Sequence, residues 1–380
     1  MALAACGASP TAEEGATTEG ATEEGGAAGG GGEPTTEAAA GSEAPSGAMS
    51  LEDVYAAMEG LTGEERREAL IELATGECEE PVDLYTSINV EITQSMIDQF
   101  IEDTGVPAEL YRAANEDVNR RVLEEEDADV ADVADVIANN DLEQEILDRE
   151  GLLAPLDTPA TEGNSVVTET WAGADRLVYM AAWGDSLEDP PSTWEDVFNA
   201  EGLAFQLGDV NWFATLVNDY YVAEQGMTER EAVDMVAEAV RGSQIVNGHT
   251  LGAQLLTSGE YRVASSLYLY RVRTLIEEGA PIAWEPAVEP LIARVTGLGM
   301  HHRTPCPASA LLLTEYMLTD FQEMLPEFGR LPALENVEGG VPEQYEVMPI
   351  NLEIVLDDFD KWQGYYDEVT GAIGGEVLEK

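Results

Sequence analysis

From about residue 51 onward, apolar positions fall into two alternating rhythms. Val82 to Ile88 is a short β-rich run, Val106 to Arg112 a second and Val133 to Asn139 a third. Between them the apolar residues recur three and four apart. Ile92, Met96 and Phe100, with Ile97 and Ile101, form one helical stripe that Gly105 ends, and residues 113–125 supply a further helix. Ahead of these, Thr62-Gly63-Glu64-Glu65 has capping-box spacing and predicts a helix to about Gly76, with Leu70, Ile71 and Leu73 on its apolar side.

The alternation resumes later with different content. Arg176 to Trp183 and Leu203 to Leu207 read as strands, and Pro190-Pro191-Ser192-Thr193-Trp194 starts a helical turn. Thr228-Glu229-Arg230-Glu231 is a second capping box, opening a helix through Val236 and Val240 to Gly242. Tyr261 to Tyr268 and Pro281 to Trp284 read as strands, and Pro307 to Leu318 as a buried helix. Strand and helix in alternation are the grammar of an open parallel sheet. The expected fold class is α/β: two lobes, each an open sheet with flanking helices, hinged about a ligand cleft.

Residues 1–50 have a different character. Between Gly7 and Met49 the chain is Gly, Ala, Thr, Glu, Ser and Pro, with eight glutamates and no basic or aromatic residue. Such a stretch cannot bury enough apolar surface to fold and reads as an acidic tether. In front of it, Leu3-Ala4-Ala5-Cys6 has the form of a lipobox, which makes Cys6 the candidate lipidation site. The chain has no apolar run of 18 residues, so its expected link to the membrane is a lipid anchor alone.

The 380 residues carry 76 Asp and Glu against 17 Lys and Arg, a net charge of −59. That excludes a nucleic-acid binder working by phosphate neutralisation, and a basic helix on anionic lipid. Spread along the chain, it reads as an acidic coat that stays soluble in high salt. With Cys6 acylated, Cys78 and Cys306 remain as candidate partners of a single disulfide. Neither has the spacing of a zinc or redox site.

Several loose signatures, in a fixed order, resemble the solute-binding proteins of bacterial ABC importers, in the ferric-iron-type group. They are Leu84-Tyr85-Thr86-Ser87, Ala134-Asp135-Val136-Ile137, Gly151-Leu152-Leu153-Ala154-Pro155-Leu156, Arg176 with Tyr179, and Pro191-Ser192-Thr193-Trp194-Glu195-Asp196-Val197. Ser258-Gly259-Glu260, Pro307-Ala308-Ser309-Ala310 and Gly329-Arg330-Leu331-Pro332 complete the order. The resemblance covers about residues 51–380. It implies lobe 1 from 51–163 with a return segment at 281–330, lobe 2 from 164–280, and 331–380 as lobe 2 or C-terminal helices. It also implies a monomer outside the cytoplasm, lipid-anchored at the outer face of the cell membrane or periplasmic, working with a permease and its ATPase.

Group members that hold ferric iron use neighbouring tyrosines, because phenolate is a hard donor suited to a hard cation. Counting from Gly259-Glu260 places Tyr270 on the second family tyrosine and Leu269 on the first. Tyr268 alternates with Tyr270, so both would share one side of an extended strand. The pair is therefore the candidate metal set, with ferric iron as cargo and no cofactor. Two departures point instead to another coordination or to an organic ligand. Asn89-Val90-Glu91 stands where iron binders carry His and then Glu, and Gly208-Asp209-Val210-Asn211-Trp212 where anion binders present hydroxyls and glycine. An Asp at that positive helix end would stabilise the helix and repel an anion.

Candidate ligand contacts are Thr86, Ser87, Asn89, Asn139, Arg176, Asn211, Trp212, Tyr268, Tyr270 and Trp284. Trp212, Trp183 and Trp284 either wall a pocket for a cationic or polar solute or pack in a core. Adjacent His301 and His302 on a strand would point to opposite faces and chelate poorly, and His249 stands alone. Gly-x-Ser-x-Gly, His-Glu-x-x-His and a glycine-rich phosphate loop are all missing. The expected function is non-enzymatic capture of a small solute or ferric iron for delivery to a permease. An exported hydrolase or lyase, or a binding module feeding a sensor, are the alternatives.

Overall fold

Twelve strands join into one sheet in the computed structural model, which describes residues 49–130, 133–334, 341–342, 344–374 and 377–378. The strands are β1 (Val82–Thr86), β2 (Ala108–Arg112), β3 (Val136–Asn140), β4 (Trp171–Gly184), β5 (Leu203–Gln206) and β6 (Gln244–Val246). They continue with β7 (Val263–Tyr268), β8 (Ile282–Ala283), β9 (Leu291–Met300), β10 (Leu331–Pro332), β11 (Val347–Pro349) and β12 (Val377–Leu378). The order is β12-β6-β5-β7-β4-β9-β3-β1-β2, with β8 and β10 on β4 and β11 on β9.

Two parallel groups flank one long antiparallel pair. On one side β1 pairs in parallel with β2 and β3 (Val82 opposite Ala108, Leu84 opposite Val136). On the other, β5 pairs in parallel with β6 and β7 (Ala204 opposite Gln244, Leu203 opposite Val263). The central β4 and β9 run antiparallel from Trp171 opposite Gly299 to Tyr179 opposite Ile292, with a register shift between Gly173 and Asp175. Each spans both groups, because β3 takes the Met300 end of β9 and β7 takes the Tyr179 end of β4.

The cores divide along the same line. Ala172 and Ala174 of β4 and Leu298 and Met300 of β9 pack with Leu70, Leu84, Phe100 and the helix Pro307–Leu318. Tyr179, Ala181 and Trp183 of β4 and Ile292 of β9 pack instead with Phe205, Trp212, Val236 and Trp362. The architecture is therefore two-lobed α/β, with two strands crossing between the lobes. It is not a purely parallel sheet, since the shared strands oppose both groups.

Most of the predicted elements form. The stripe on Ile92, Met96 and Phe100 is the helix Val90–Thr104, ended by Gly105 at φ 71°, a left-handed conformation that a side chain would strain. Thr228 and Thr193 both make capping boxes, with Glu231 and Asp196. Thr62 precedes the helix Gly63–Ala74, but among the described residues its side chain makes no capping bond, so that box fails at its first residue. Asp141–Arg149, His249–Ser258, Leu269–Glu277 and Phe359–Ile373 are helices that the apolar pattern did not mark, and β9 is a strand it missed.

Cys78 and Cys306 are joined in a disulfide, Cα to Cα 5.9 Å. It ties the segment before β1 to the start of the helix Pro307–Leu318. Beside it the Glu77 carboxylate accepts from the backbone amides of Ala308 and Ser309, at 2.9 and 2.8 Å, and from the Ser309 hydroxyl. The first-turn amides of that buried helix would otherwise lack acceptors. The tether and Cys6 lie outside the described residues. No described helix is long and apolar enough to cross a membrane.

Candidate functional site

In open α/β sheets, chemistry gathers beyond the carboxyl ends of the parallel strands. Here those ends belong to β1 and β3 in one lobe and to β5 and β7 in the other. The β4–β9 crossing lies between them. Three buried or half-buried ionic sets occupy this junction.

The first set is centred on Arg294, the lone basic residue of β9. Its guanidinium lies 2.5 Å from Asp141 and 3.9 Å from Glu143, on the helix that follows β3. Tyr179 and Tyr268, paired across β4 and β7, complete its surroundings. One arginine thus links the first residue after β3 with two tyrosines of the other lobe. Burial pushes the Tyr179 phenol up to about 12, which Arg294 only partly offsets. Burial and then Tyr179 hold Tyr268 well above its ordinary value. Burial alone would lower Arg294, yet Asp141, the two phenols and Glu143 outweigh it and leave the guanidinium raised. Both tyrosines are therefore neutral at neutral pH, as hydrogen-bonding phenols.

The second set lies behind Tyr268. The His249 ring faces the Tyr268 ring with centroids 3.9 Å apart, and its Nε2 is 3.1 Å from Asp209. The Ser266 hydroxyl donates to the other oxygen of Asp209. Asp209 precedes the six-residue helix Val210–Thr215, but its side chain makes no capping bond to it. Its two oxygens are instead taken by Ser266 and His249, so it stands at the helix end without a hydrogen bond to it.

The third set joins Arg330 to the buried Asp175 of β4. The Arg330 guanidinium also lies 4.9 Å from the centre of the Tyr270 ring. Tyr268 and Tyr270 stack at 5.9 Å with planes 20° apart. They do so without sharing a strand: β7 ends at Tyr268, and the helix Leu269–Glu277 begins at the next residue. The expected shared strand is thus corrected to a strand end and a helix start, and the two rings still meet.

The other predicted contacts are placed as follows. Thr86 is buried and its hydroxyl accepts from the Ile88 amide, shaping the exit from β1. Ser87 is half-buried, its amide donating to Ala138 and its carbonyl accepting from Arg112. Asn89 is exposed and caps the next helix by accepting from the Glu91 amide at 2.8 Å. Asn139 is buried, its amide donating to Asn115 and Asn119 and its oxygen accepting from the Asn140 amide. Arg176 is half-buried on β4 opposite Val295, and Asn211 is half-buried at the start of the helix Val210–Thr215.

The tryptophans are core residues. Trp212 is wholly buried with Trp194 at 5.5 Å and Phe205 at 6.2 Å, Trp183 is buried in the same core, and Trp284 packs on Tyr345 at 5.5 Å. Large apolar rings gain more from that burial than from lining a wet surface, so the pocket-wall reading is replaced by packing.

Sequence reasoning missed His249, Asp141, Arg294 and Asp175. One signal was present. Leu291-Ile292-Ala293-Arg294-Val295-Thr296 is an apolar run broken by one arginine, in a chain with only 17 basic residues.

No protein-family model matches the chain, and no curated protein matches it. Solved structures do. The ferric binding protein from Campylobacter jejuni is 18% identical at a TM-score of 0.61, covering 76% of this chain and 99% of its own. Iron-bound HitA from Pseudomonas aeruginosa is 15% identical at 0.61, with coverages of 76% and 99%. The spermidine/putrescine ABC transporter substrate-binding protein PotD from Streptococcus pneumoniae is 12% identical at 0.60, with coverages of 77% and 99%. These likenesses show the fold: the two-lobed arrangement of periplasmic binding proteins.

Proposed function

We propose that this chain is an extracytoplasmic solute-binding protein that captures a small polar solute between its lobes and hands it, unaltered, to an ABC permease. The observation that carries this reading is the Asp141–Arg294–Tyr268 chain. It brings groups from both lobes to the two crossing strands. A solute touching both lobes there would favour their closed arrangement over the open one, which is the linkage a transport receptor needs. Tyr268, Tyr270 and His249 are the binding residues on the second lobe, with Ser87 and Asp141 opposite. In this reading Cys6 carries a lipid, residues up to about 50 are a leash at the outer membrane face, and the receptor works as a monomer.

A second reading, ferric iron as cargo, draws support from the stacked Tyr268 and Tyr270. Their phenols would ionise only under the charge of the cation. The adjoining Arg294 and Arg330 then favour iron arriving with an anion, since bare cation would meet two guanidinium groups.

The test is a thermal-shift panel in molar salt covering ferric iron with and without a chelating anion, polyamines, amino acids, phosphonates and sugars. A cargo at a hundredfold its Kd adds about 2.7 kcal/mol of stability. The compound recovered afterwards should be chemically intact, and Tyr268→Phe should reduce the shift. Iron held by phenolate would add a visible charge-transfer band that Tyr268→Phe removes. Turnover of the bound compound would refute the receptor reading in favour of an exported enzyme.

A further inference from the structure

At its far end from the lobe junction, β9 stops at Met300 and the chain turns at once. The His301 amide donates to the Asp135 carbonyl, the His302 amide to Leu152, and the Thr304 amide to His301. Cys306, two residues further, is held by the disulfide. His301 makes an isolated antiparallel bridge with Leu153 and His302 opens the turn, so the two do not share a strand and the expectation that they point to opposite faces of one is corrected. The His301 and His302 rings lie 5.0 Å apart and converge on one carboxylate, Glu126, in the last turn of the helix Asn115–Asp127.

The ligand atoms of these three residues all lie within 4.8 Å of one another. His302 Nε2 is 3.4 Å from one Glu126 oxygen and His301 Nε2 is 3.8 Å from the other. Two ligands bound tetrahedrally to zinc at ordinary bond lengths sit about 3.4 Å apart, so the first pair already has that spacing. Both separations exceed those of ordinary hydrogen bonds. Among the described residues His301 Nε2 and Arg303 Nε are buried without a hydrogen-bond partner, and Glu126 Oε2 has only the ion pair with Arg303 Nη2. Buried polar groups are nearly always satisfied, so the unpartnered imidazole nitrogen facing a carboxylate is unusual.

We propose that Glu126, His301 and His302 form a site for a divalent first-row transition metal, of which zinc is the type, with the fourth position open to water. Two imidazoles and one carboxylate are the donor set such borderline cations prefer over calcium or magnesium. Arg303 is the competitor for the carboxylate. Its Nη2 lies 2.8 Å from Glu126 and its Nη1 2.8 Å from the exposed Asp129, so it can release the first carboxylate and keep the second. The Arg303 amide donates to His301 Nδ1 at 3.2 Å, which places the ring proton on Nε2. Metal binding at Nε2 moves that proton to Nδ1 through solvent, so the Nδ1 contact with the Arg303 amide is given up for the metal bond at Nε2. The bound ion would clip the end of the helix Asn115–Asp127 to the end of β9, inside one lobe and away from the interlobe chemistry.

The chain holds three histidines, and two are here, so histidine-dependent metal binding is readily assigned. Untagged protein in molar salt, which suppresses loose association with its many carboxylates, is titrated with cobalt(II). One equivalent should give the intense visible band of a tetrahedral nitrogen-ligated site, and zinc should displace it. His302→Ala, at a site 35% exposed and thus tolerant of change, and Glu126→Gln should each weaken zinc binding at least tenfold with unchanged circular dichroism. Arg303→Gln should tighten it severalfold. His249→Ala and Tyr268→Phe should leave the band intact, which separates this site from the cargo site. No stoichiometric band, or a band surviving both His302→Ala and Glu126→Gln, overturns the proposal.

Discussion

Replacing Arg294 with methionine keeps most of the side-chain volume and removes the cation that joins the lobes. The Arg294 and Asp141 side chains are only 10% and 4% exposed, and Glu143 lies 3.9 Å from the same guanidinium. Arg294→Met leaves Asp141 as a desolvated carboxylate with no counter-charge, while Glu143, already raised by burial, loses the cation that lowers it. Breaking a buried pair from one side costs about 3–5 kcal/mol, chiefly through the charge left behind. Arg294→Met should therefore lower the urea-unfolding free energy by about that amount. Asp141→Asn added to it should recover much of the loss, because the stranded charge is gone. Salt separates this from surface electrostatics. The buried pair is screened little, so the loss should persist in molar salt. Arg230, paired with Asp234 and Glu368 at an exposed position, should give no resolvable change there when replaced. A cost below about 1 kcal/mol for Arg294→Met, or a double variant as unstable as the sum of the singles, would refute the reasoning.

Burial pushes the Asp135 carboxyl up to about 7 despite hydrogen bonds from Thr304 and the Asp83 amide. The folded state then binds more protons than the unfolded between about pH 4 and 7, so stability falls as pH rises through that window. Asp135→Asn should flatten this slope in denaturation curves taken across it. The Cys78–Cys306 bridge closes a loop with a sequence separation of 228, worth about 5 kcal/mol by chain entropy. Cys306→Ser, or reduction of the native protein, should lower the unfolding midpoint sharply, and an unchanged midpoint would show that the bridge is not a constraint. With a net charge of −59, the unfolding temperature should rise with potassium chloride from millimolar to molar and level off as screening saturates.

The elements legible in the sequence are those whose signal is local. The stripe Ile92–Met96–Phe100 faces one core, and Pro307–Leu318 is a helix with the bounds its uniform apolarity suggests. β9 was missed because Gly297 and Gly299 interrupt it. Those glycines are there for a non-local reason: a Cβ at Gly297 would come within 2.7 Å of Gln144 and 2.9 Å of Trp171. The same crossing explains why β4 runs from Trp171 and not from Arg176. Its first residues run along β9, and nothing in the alternation of a single strand announces that partner.

The tyrosines of the candidate site could be named from the sequence and its ions could not, and the composition explains why. Where Asp and Glu are everywhere, no carboxylate is informative, so Asp141, Asp175 and Asp209 vanish into the acidic coat. The basic residues are the reverse case. A surface under selection for negative charge sheds cations, and those that survive in the interior stand where a desolvated carboxylate needs one. Arg66 on Glu315, Arg294 on Asp141 and Arg330 on Asp175 are all largely buried, and the last two lie at the lobe junction. In so acidic a chain, an arginine set within an apolar run is itself the mark of a buried acid that it neutralises. Arg294, inside the apolar run 291–296, is such a mark at the junction.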